Sequence, residues 1–413
     1  MQEGYLSHYF KGVATKRISA VEADQTVSNQ HEFNGVKDLI LLFGKPDGRL
    51  LIKSNFMYFA NGEEPIVSDG YLSWYDARAQ HPTRTEWRLY YPTNEVFDSM
   101  VAGDALYICK LSDDSALVII ALHGSTYESQ LNWLFGFTEP TSEQFSVKER
   151  NSLSKTELMY ASRLVLDEIG IEPQNYETNY LEKMLDLFKG SFPTTKVFSS
   201  YARSTLPALE AATDNPDGVL LSWLDREDQL FRTLEKHLIS ERLEDGFVID
   251  DDVDVDGFIA YSLSVQNRRK SRAGQSLENH VEELFKVRNI SYTRTPVTEN
   301  RSRPDFIFPG IQAYNNLNFP VEGLSMLGVK STCKDRWRQV LSEADRIEAK
   351  HLLTLEAAIS ENQTDEMTDR NLKLVIPQQI HKSYTAKQRS WLFTVEDFLN
   401  LTILRQAKHI ATF

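Results

Sequence analysis

The residues with the clearest chemical potential lie in the second half of the chain: Pro304-Asp305, then Lys330 twenty-five positions on, then Glu343 thirteen further. Hydrolysis of a phosphodiester needs a hard cation held by carboxylates, a positioned water and positive charge beside the phosphoryl oxygens. An aspartate at the start of one strand and a lysine at the end of the next can converge on one point and meet those needs. The position two before the lysine is Gly328 and offers no second acid. Glu343 can supply the missing carboxylate from the next helix. There Trp337, Val340, Leu341 and Ala344 mark the buried side and leave Glu343 and Gln339 on an adjacent face. Glu278, ahead of Asp305, adds a supporting carboxylate or a further metal ligand. A Pro-Asp pair alone is an ordinary turn signal, so the reading rests on the residues together.

The elements expected to position these groups form an α/β pattern. Leu277, Val281, Leu284 and Phe285 recur at helical spacing, predicting an amphipathic helix over Leu277 to Val287. Strands are expected at Ile290 to Thr295, from Asp305, at Leu324 to Lys330, at His351 to Leu355 and at Leu372 to Ile376. A helix is expected over Asp335 to Glu348 and another from Val395 to about Gln406. Helix, strand, strand, helix, strand describes a domain with a central mixed sheet. The first part reads as mainly β, sandwich or barrel, with strand-like runs at Asp38 to Gly44, Arg49 to Phe56, Ala105 to Leu111 and Ala116 to Leu122. A polar stretch from Glu139 leads into a helix-like segment at Leu158 to Ile169. The division expected is a β domain over 1–150, a connection over 151–190 and an α/β domain over 191–413.

At 413 residues the chain is long enough for two cores, and 41% hydrophobic with 25% charged residues is a globular composition. No apolar run reaches the length of a membrane span, and Met1 to Gly12 lacks the apolar core of a signal peptide. No membrane partner and a cytoplasmic location are therefore expected. Two distant cysteines, Cys109 and Cys333, exclude a disulfide framework and a thiolate zinc site. The nine histidines show no metal-ligand spacing. A net charge of −14 argues against binding nucleic acid only if charge is evenly spread. It is not: Gln266 to Lys350 holds 15 basic against 10 acidic residues, leaving 30 against 49 elsewhere. Asp252 to Gly257 mimics the start of a calcium-binding EF-hand loop, but the required acid at position twelve is Leu263. The acidic run Asp250 to Asp256 is better read as a solvated loop or as the cap of a helix entering Phe258.

The spacing of Asp305 and Lys330 is that of the PD-(D/E)xK nucleases, and longer blocks make the resemblance specific. Asn267 to Glu278 (NRRKSRAGQSLE), Pro304 to Pro309 (PDFIFP) and Val329 to Gln339 (VKSTCKDRWRQ) closely resemble the EcoRII-type (type IIE) restriction endonucleases, and Glu343-Ala344-Asp345 follows at the same interval. In that family the second acid sits on the helix, which accounts for Gly328. The resemblance implies a restriction-endonuclease-like α/β domain in which Asp305 and Glu343 hold Mg2+ and Lys330 orients water. It implies that Lys334 and Asp335 read guanine and cytosine edges at a C/G-rich site of the CC(N)GG kind. Arg268, Arg269, Lys270, Arg272 and Arg336 would contact DNA, Tyr314 would line a pocket for flipped central bases, and Trp223 lies near the family's stacking position. Against this, Arg268 to Arg272 also reads as a solvated helix start, and Trp337 as core.

The N-terminal resemblance is to the family's effector domain, a B3-like β-barrel that binds another copy of the DNA site. It rests on Lys16-Arg17-Ile18-Ser19-Ala20 and Thr83 to Arg88. Arg84, Glu86 and Arg88 alternate along an expected strand and would face one way, with His31 and Asn34 as a second recognition arm and Lys16 and Arg17 nearby. The same three residues also read as surface charges in cross-strand pairs. Together these imply a homodimeric, Mg2+-dependent type II deoxyribonuclease acting on double-stranded DNA, with a DNA methyltransferase in the same system but no direct contact to it. The rivals are a repair or structure-selective nuclease of the same fold and a non-cleaving DNA-binding regulator.

Overall fold

A computed structural model describes residues 5–23, 31–60, 62–138, 142–154, 158–172, 178–207, 215–249 and 252–410. The chain divides into two compact units, Met1–Gln174 with Ala357–Thr364, and Asn175–Glu356 with Asp365–Phe413. The expected connection over 151–190 is thus shared between them, and its residues 155–157 and 173–177 lie outside the described residues.

The first unit is built on eight strands: β1 (Phe10–Arg17), β2 (Glu32–Phe33), β3 (Leu50–Phe59), β4 (Ile66–Asp76), β5 (Trp87–Tyr90), β6 (Ala105–Leu111), β7 (Ala116–Ala121) and β8 (Ser146–Glu149). They form one mixed sheet in the order β2-β5-β4-β3-β7-β6-β1-β8. All neighbours are antiparallel except β3 and β7. Alternate residues of β7 enter different cores: Val118 and Ile120 join Phe56, Leu72 and Trp74. Leu117 and Ile119 join Phe59 and Tyr107. Burial on both faces explains why the central strands read as continuous apolar runs. Helices α1 (Thr126–Phe135) and α2 (Tyr160–Glu168) cover the second face through Leu131, Leu134, Val165 and Leu166.

The run Asp38 to Gly44 departs from expectation. It forms a 3-10 turn (Val36–Leu39) and a short helix (Ile40–Phe43), not a strand. Leu39, Leu42 and Phe43 point into the sheet core at helical spacing, so burial on one side decided the conformation.

In the second unit, α3 (Leu181–Phe188), α4 (Thr195–Ser204) and α5 (Pro216–Glu244) share a core that includes Met184, Phe198, Phe231 and Leu234. A two-stranded hairpin, β9 (Val248–Ile249) and β10 (Asp252–Val253), leads to α6 (Val255–Val287), a 33-residue helix. Asp254 caps that helix by accepting the Gly257 N–H at 2.8 Å, as the acidic run suggested. Helix α6 begins 22 residues before the expected Leu277, because its exposed first half carries little apolar periodicity. The sheet follows: β11 (Thr293–Arg294), β12 (Phe306–Phe308), β13 (Ser325–Lys330), β14 (Lys350–Thr354) and β15 (Leu372–Val375), in chain order. The first three are antiparallel and the last three parallel. Phe285 of α6 packs edge-on against Phe306 and Phe308, and Phe398 of α8 (Val395–Ile410) packs against Phe308. Between β13 and β14 the expected long helix shrinks to a 3-10 turn (Lys334–Arg336) and α7 (Trp337–Leu341). Trp337 and Val340 are fully buried, while Leu341 is only half-buried.

Candidate active site

Strands β12 and β13 run antiparallel with Phe306 opposite Leu327, so the entrance of β12 and the end of β13 fall at one edge. Asp305 immediately precedes β12 and Lys330 closes β13. Asp305 Oδ2 accepts the Val329 N–H at 2.7 Å and the Lys330 ammonium at 2.9 Å. Its carbonyl accepts from Thr295 N at 2.9 Å, so backbone and side chain are both fixed. Neither member of the pair is sealed from solvent: the side chains are 13% and 22% exposed.

Glu343 lies just past α7, in a turn where Ala344 takes a left-handed φ of 51°. Lys350 holds this turn from β14: its buried ammonium donates to the carbonyls of Ile347 at 2.7 Å and Ala344 at 3.4 Å. Arg346 secures it further, donating to the carbonyls of Tyr314, Asn316 and Phe319. Glu343 Oε2 is buried without a hydrogen-bond partner. Burial first, and the charge of Asp305 second, push the Glu343 carboxyl up to about 7, against the pull of Lys330 and Lys350.

Gly328 shows why the acid sits on the turn and not on the strand. A Cβ there would meet Val340 Cγ2 at 3.0 Å and Leu352 Cδ1 at 3.4 Å. Val340 of α7 fills that gap and would have to give way to any side chain at 328, and Glu343 comes from just beyond the same helix.

Glu278 comes from α6 and pairs with Arg294 of β11 at 2.9 Å. Burial and then the charge of Asp305 raise its carboxyl above the ordinary value, while Arg294 and Lys330 counter them. Arg294 also binds Glu282 at 2.9 Å and Asn279 Oδ1 at 3.0 Å. Sequence reading missed Arg294, Lys350 and Arg346. A charged residue inside the expected strand Ile290 to Thr295 was the one available signal for Arg294; the two loop-holding residues had none.

The donor set suits a hard divalent cation, since carboxylate oxygens are its preferred ligands and Glu343 Oε2 is an acceptor with no donor. Asp305 and Glu343 are the residues that would hold it. Among the described residues, no group of three or more His, Cys, Asp or Glu side chains is placed to grip a metal. The remaining ligands would be carbonyl oxygens or water, as is usual for Mg2+.

The expected DNA-contact residues separate into two groups. Lys270, Lys334 and Arg336 are exposed, and Lys334 takes a left-handed φ of 38°. The side chain of Asp335 lies outside the described residues. The other arginines of the basic run lie in mid-helix and largely serve packing. Arg269 bonds Glu235 at 2.6 Å, Arg268 stacks over Phe192, and buried Arg272 stacks on Phe198 and Phe231. The reading of this run as a solvated helix start is corrected: α6 is bound to α5 here, so only one face of the run reaches solvent. Trp223 is 5% exposed and lies against His280, with its ring centroid 5.7 Å away. Tyr314 is 2% exposed, and its hydroxyl donates to Glu299 at 2.6 Å and accepts from Arg346 N at 3.2 Å. Neither aromatic face is open for a base in this structure.

In the first unit Arg84 is exposed and precedes β5, as does Glu86. Glu86 is bracketed by Arg78 and by Arg88 at 2.7 Å, and Arg88 reaches Glu32 at 3.1 Å. The three residues do not alternate along one strand, because β5 starts only at Trp87. His31 packs edge-on against Tyr90 and Tyr91, and Asn34 is exposed at its side chain while its N–H binds Glu22. Lys16 is fully buried against Glu22 at 2.6 Å, and burial lowers its pKa. Arg17 binds Glu128 at 2.5 Å and the Gly103 carbonyl at 3.0 Å. The expectation of DNA contact from Lys16 and Arg17 is corrected: in this fold their charges are spent inside the unit.

The second unit is therefore an α/β domain in which two carboxylates and a lysine come together where β12 begins and β13 ends. More particularly, residues 231–399 match the family model described as EcoRII C terminal. The type II restriction enzyme EcoRII of Escherichia coli is 44% identical over 186 residues, which cover 45% of this chain and 45% of that protein. The chain thus matches less than half the length of that relative. Among solved structures, metal-depleted Ecl18kI in complex with uncleaved, modified DNA is 20% identical at a TM-score of 0.45, covering 56% of this chain and 86% of that one. A PspGI–substrate DNA complex is 17% identical at a TM-score of 0.43, covering 53% and 95%. No helix among the described residues is long and apolar enough to cross a membrane.

Proposed function

We propose that the protein is a type II restriction endonuclease that cleaves double-stranded DNA with Mg2+ at a short C/G-rich site of the CC(N)GG kind. The observation that carries this reading is the grouping of Asp305, Lys330 and Glu343. Burial and then the charge of Asp305 oppose the ionisation of Glu343, whose Oε2 is buried without a hydrogen-bond partner. Bound Mg2+ would withdraw charge from the scissile phosphoryl group and acidify a water. Asp305 and Glu343 would hold it, and Lys330 would orient the attacking water and counter phosphoryl charge. Lys334 and Asp335 would read base edges, with Arg336 and Lys270 on the phosphates. As homodimer, the protein would place one such site against each strand.

The first unit fits the role of a B3-like effector domain binding a second copy of the site. Arg84 and Asn34 are exposed and would be the first to reach it, while Arg88, Glu86 and His31 are half-buried beside them. The test is to map cut ends on a sequenced plasmid, with and without base methylation. Cuts recurring at one C/G-rich sequence support the reading. Nicks at flaps, junctions or lesions would replace it with a structure-selective nuclease, and binding without any cut with a regulator.

A further inference from the structure

Glu356, just past β14, is a charged side chain only 4% exposed and outside the catalytic grouping. Its Oε2 accepts two successive backbone N–H groups, from Cys333 at 2.6 Å and from Lys334 at 3.1 Å. Those N–H groups lie where the chain leaves β13 three residues after Lys330 and turns through the left-handed φ of 38° at Lys334. A non-glycine residue holds such a conformation only when its surroundings fix it. Glu356 is fixed in turn: its own N–H donates to Thr354 Oγ1 at 3.2 Å, and its carbonyl accepts the buried Tyr384 hydroxyl at 2.5 Å. The parallel pairing of Lys330 with Thr354 sets the distance between the lysine and this anchor.

We propose that Glu356 is a positioning residue for sequence discrimination. Its carboxylate sets the backbone bend that carries Lys334 and Asp335 while Lys330 stays on the strand, coupling base reading to the cleavage site through the backbone. This rests on the reading of Lys334 and Asp335 as the base-contacting pair. A purely electrostatic role towards DNA is disfavoured, since the carboxylate is buried and would repel phosphate.

The experiment uses the full chain, Mg2+ and a duplex taken from a mapped wild-type cut, beside the same duplex with one C·G pair inverted. Failure of the wild type to cut either duplex would refute the proposed function itself. Given wild-type cutting, Glu356→Ala should lower the ratio of parent to inverted cleavage by about tenfold or more, the worth of a charge-assisted hydrogen bond. Glu356→Gln, which keeps one acceptor oxygen, should recover part of that ratio. Its near-native volume keeps the test available if Glu356→Ala does not fold. An unchanged ratio in Glu356→Gln and in any folded Glu356→Ala protein would overturn the proposal. So would a loss of overall rate with the ratio intact.

Discussion

Glu343 keeps its proton up to about pH 7 because burial and the facing charge of Asp305 both oppose its ionisation. A carboxyl in that state is poorly served by the protein alone and well served by a cation. A bound cation would offset both causes at once.

The first prediction concerns cation binding. A ligand carboxylate must be ionised, so binding to the metal-free protein has to displace the Glu343 proton below about pH 7. Mg2+ or Ca2+ affinity, followed calorimetrically, should rise with pH up to about 7 and level off above it. Lys330→Ala removes a charge that lowers the Glu343 value, and should move the levelling point upward. Asp305→Asn should move it downward. An affinity that is flat from pH 5.5 to 8 would contradict the assignment.

The second prediction is the stability counterpart. The folded-state pKa of Glu343 lies above its unfolded value of 4.5, so the unfolded chain releases this proton first as pH rises. Stability is therefore lost between about pH 4.5 and 7, and the full deficit is present above 7. Glu343→Gln abolishes the titration. It should raise the melting temperature of the metal-free protein at pH 8 by roughly 2–4 °C after allowance for solvent screening, and change it little at pH 5. Scanning calorimetry with a chelator present measures this. An equal shift at both pH values would mean that ionisation is not the cause.

Arg294 supplies the third. It binds Glu278 and Glu282 together, and its removal takes the ion pair from Glu278 and leaves Glu282 to Lys286 and the Tyr292 hydroxyl. Arg294→Ala should cost about 1–3 kcal/mol in denaturant unfolding. A loss below about 0.5 kcal/mol would place it among exposed pairs of little consequence.

The placing of Asp305 before one strand and Lys330 at the end of its neighbour was legible, because strand ends can be read from apolar runs. Glu343 was found, but its setting was not. The helix expected to carry it stops at Leu341, since the chain must turn at Ala344 to enter β14. Asp38 to Gly44 and the first half of α6 were misjudged for a shared reason: apolar runs and periodicity report burial, and burial is decided by distant elements. Lys16 and Arg17 illustrate the same point for charge. Nothing in their local sequence tells a buried lysine paired with Glu22 from an exposed one awaiting phosphate.

Lys16 accordingly gives the fourth prediction. Lys16→Ala leaves Glu22 buried without its ion partner, held only by hydrogen bonds from Ser19 and Asn34 among the described contacts, and should destabilise the first unit by about 2–4 kcal/mol in urea unfolding. If instead stability holds and the salt dependence of DNA binding falls by about one phosphate contact, Lys16 faces DNA after all.

The central claim is that Asp305 and Lys330 act in cleavage and not merely in holding DNA. Purified wild type, Asp305→Ala and Lys330→Ala proteins incubated with one plasmid and Mg2+, with binding measured in parallel, test it most directly. The account predicts discrete fragments from the wild type alone and retained DNA binding by all three. Fragments from either variant at the wild-type rate would contradict it.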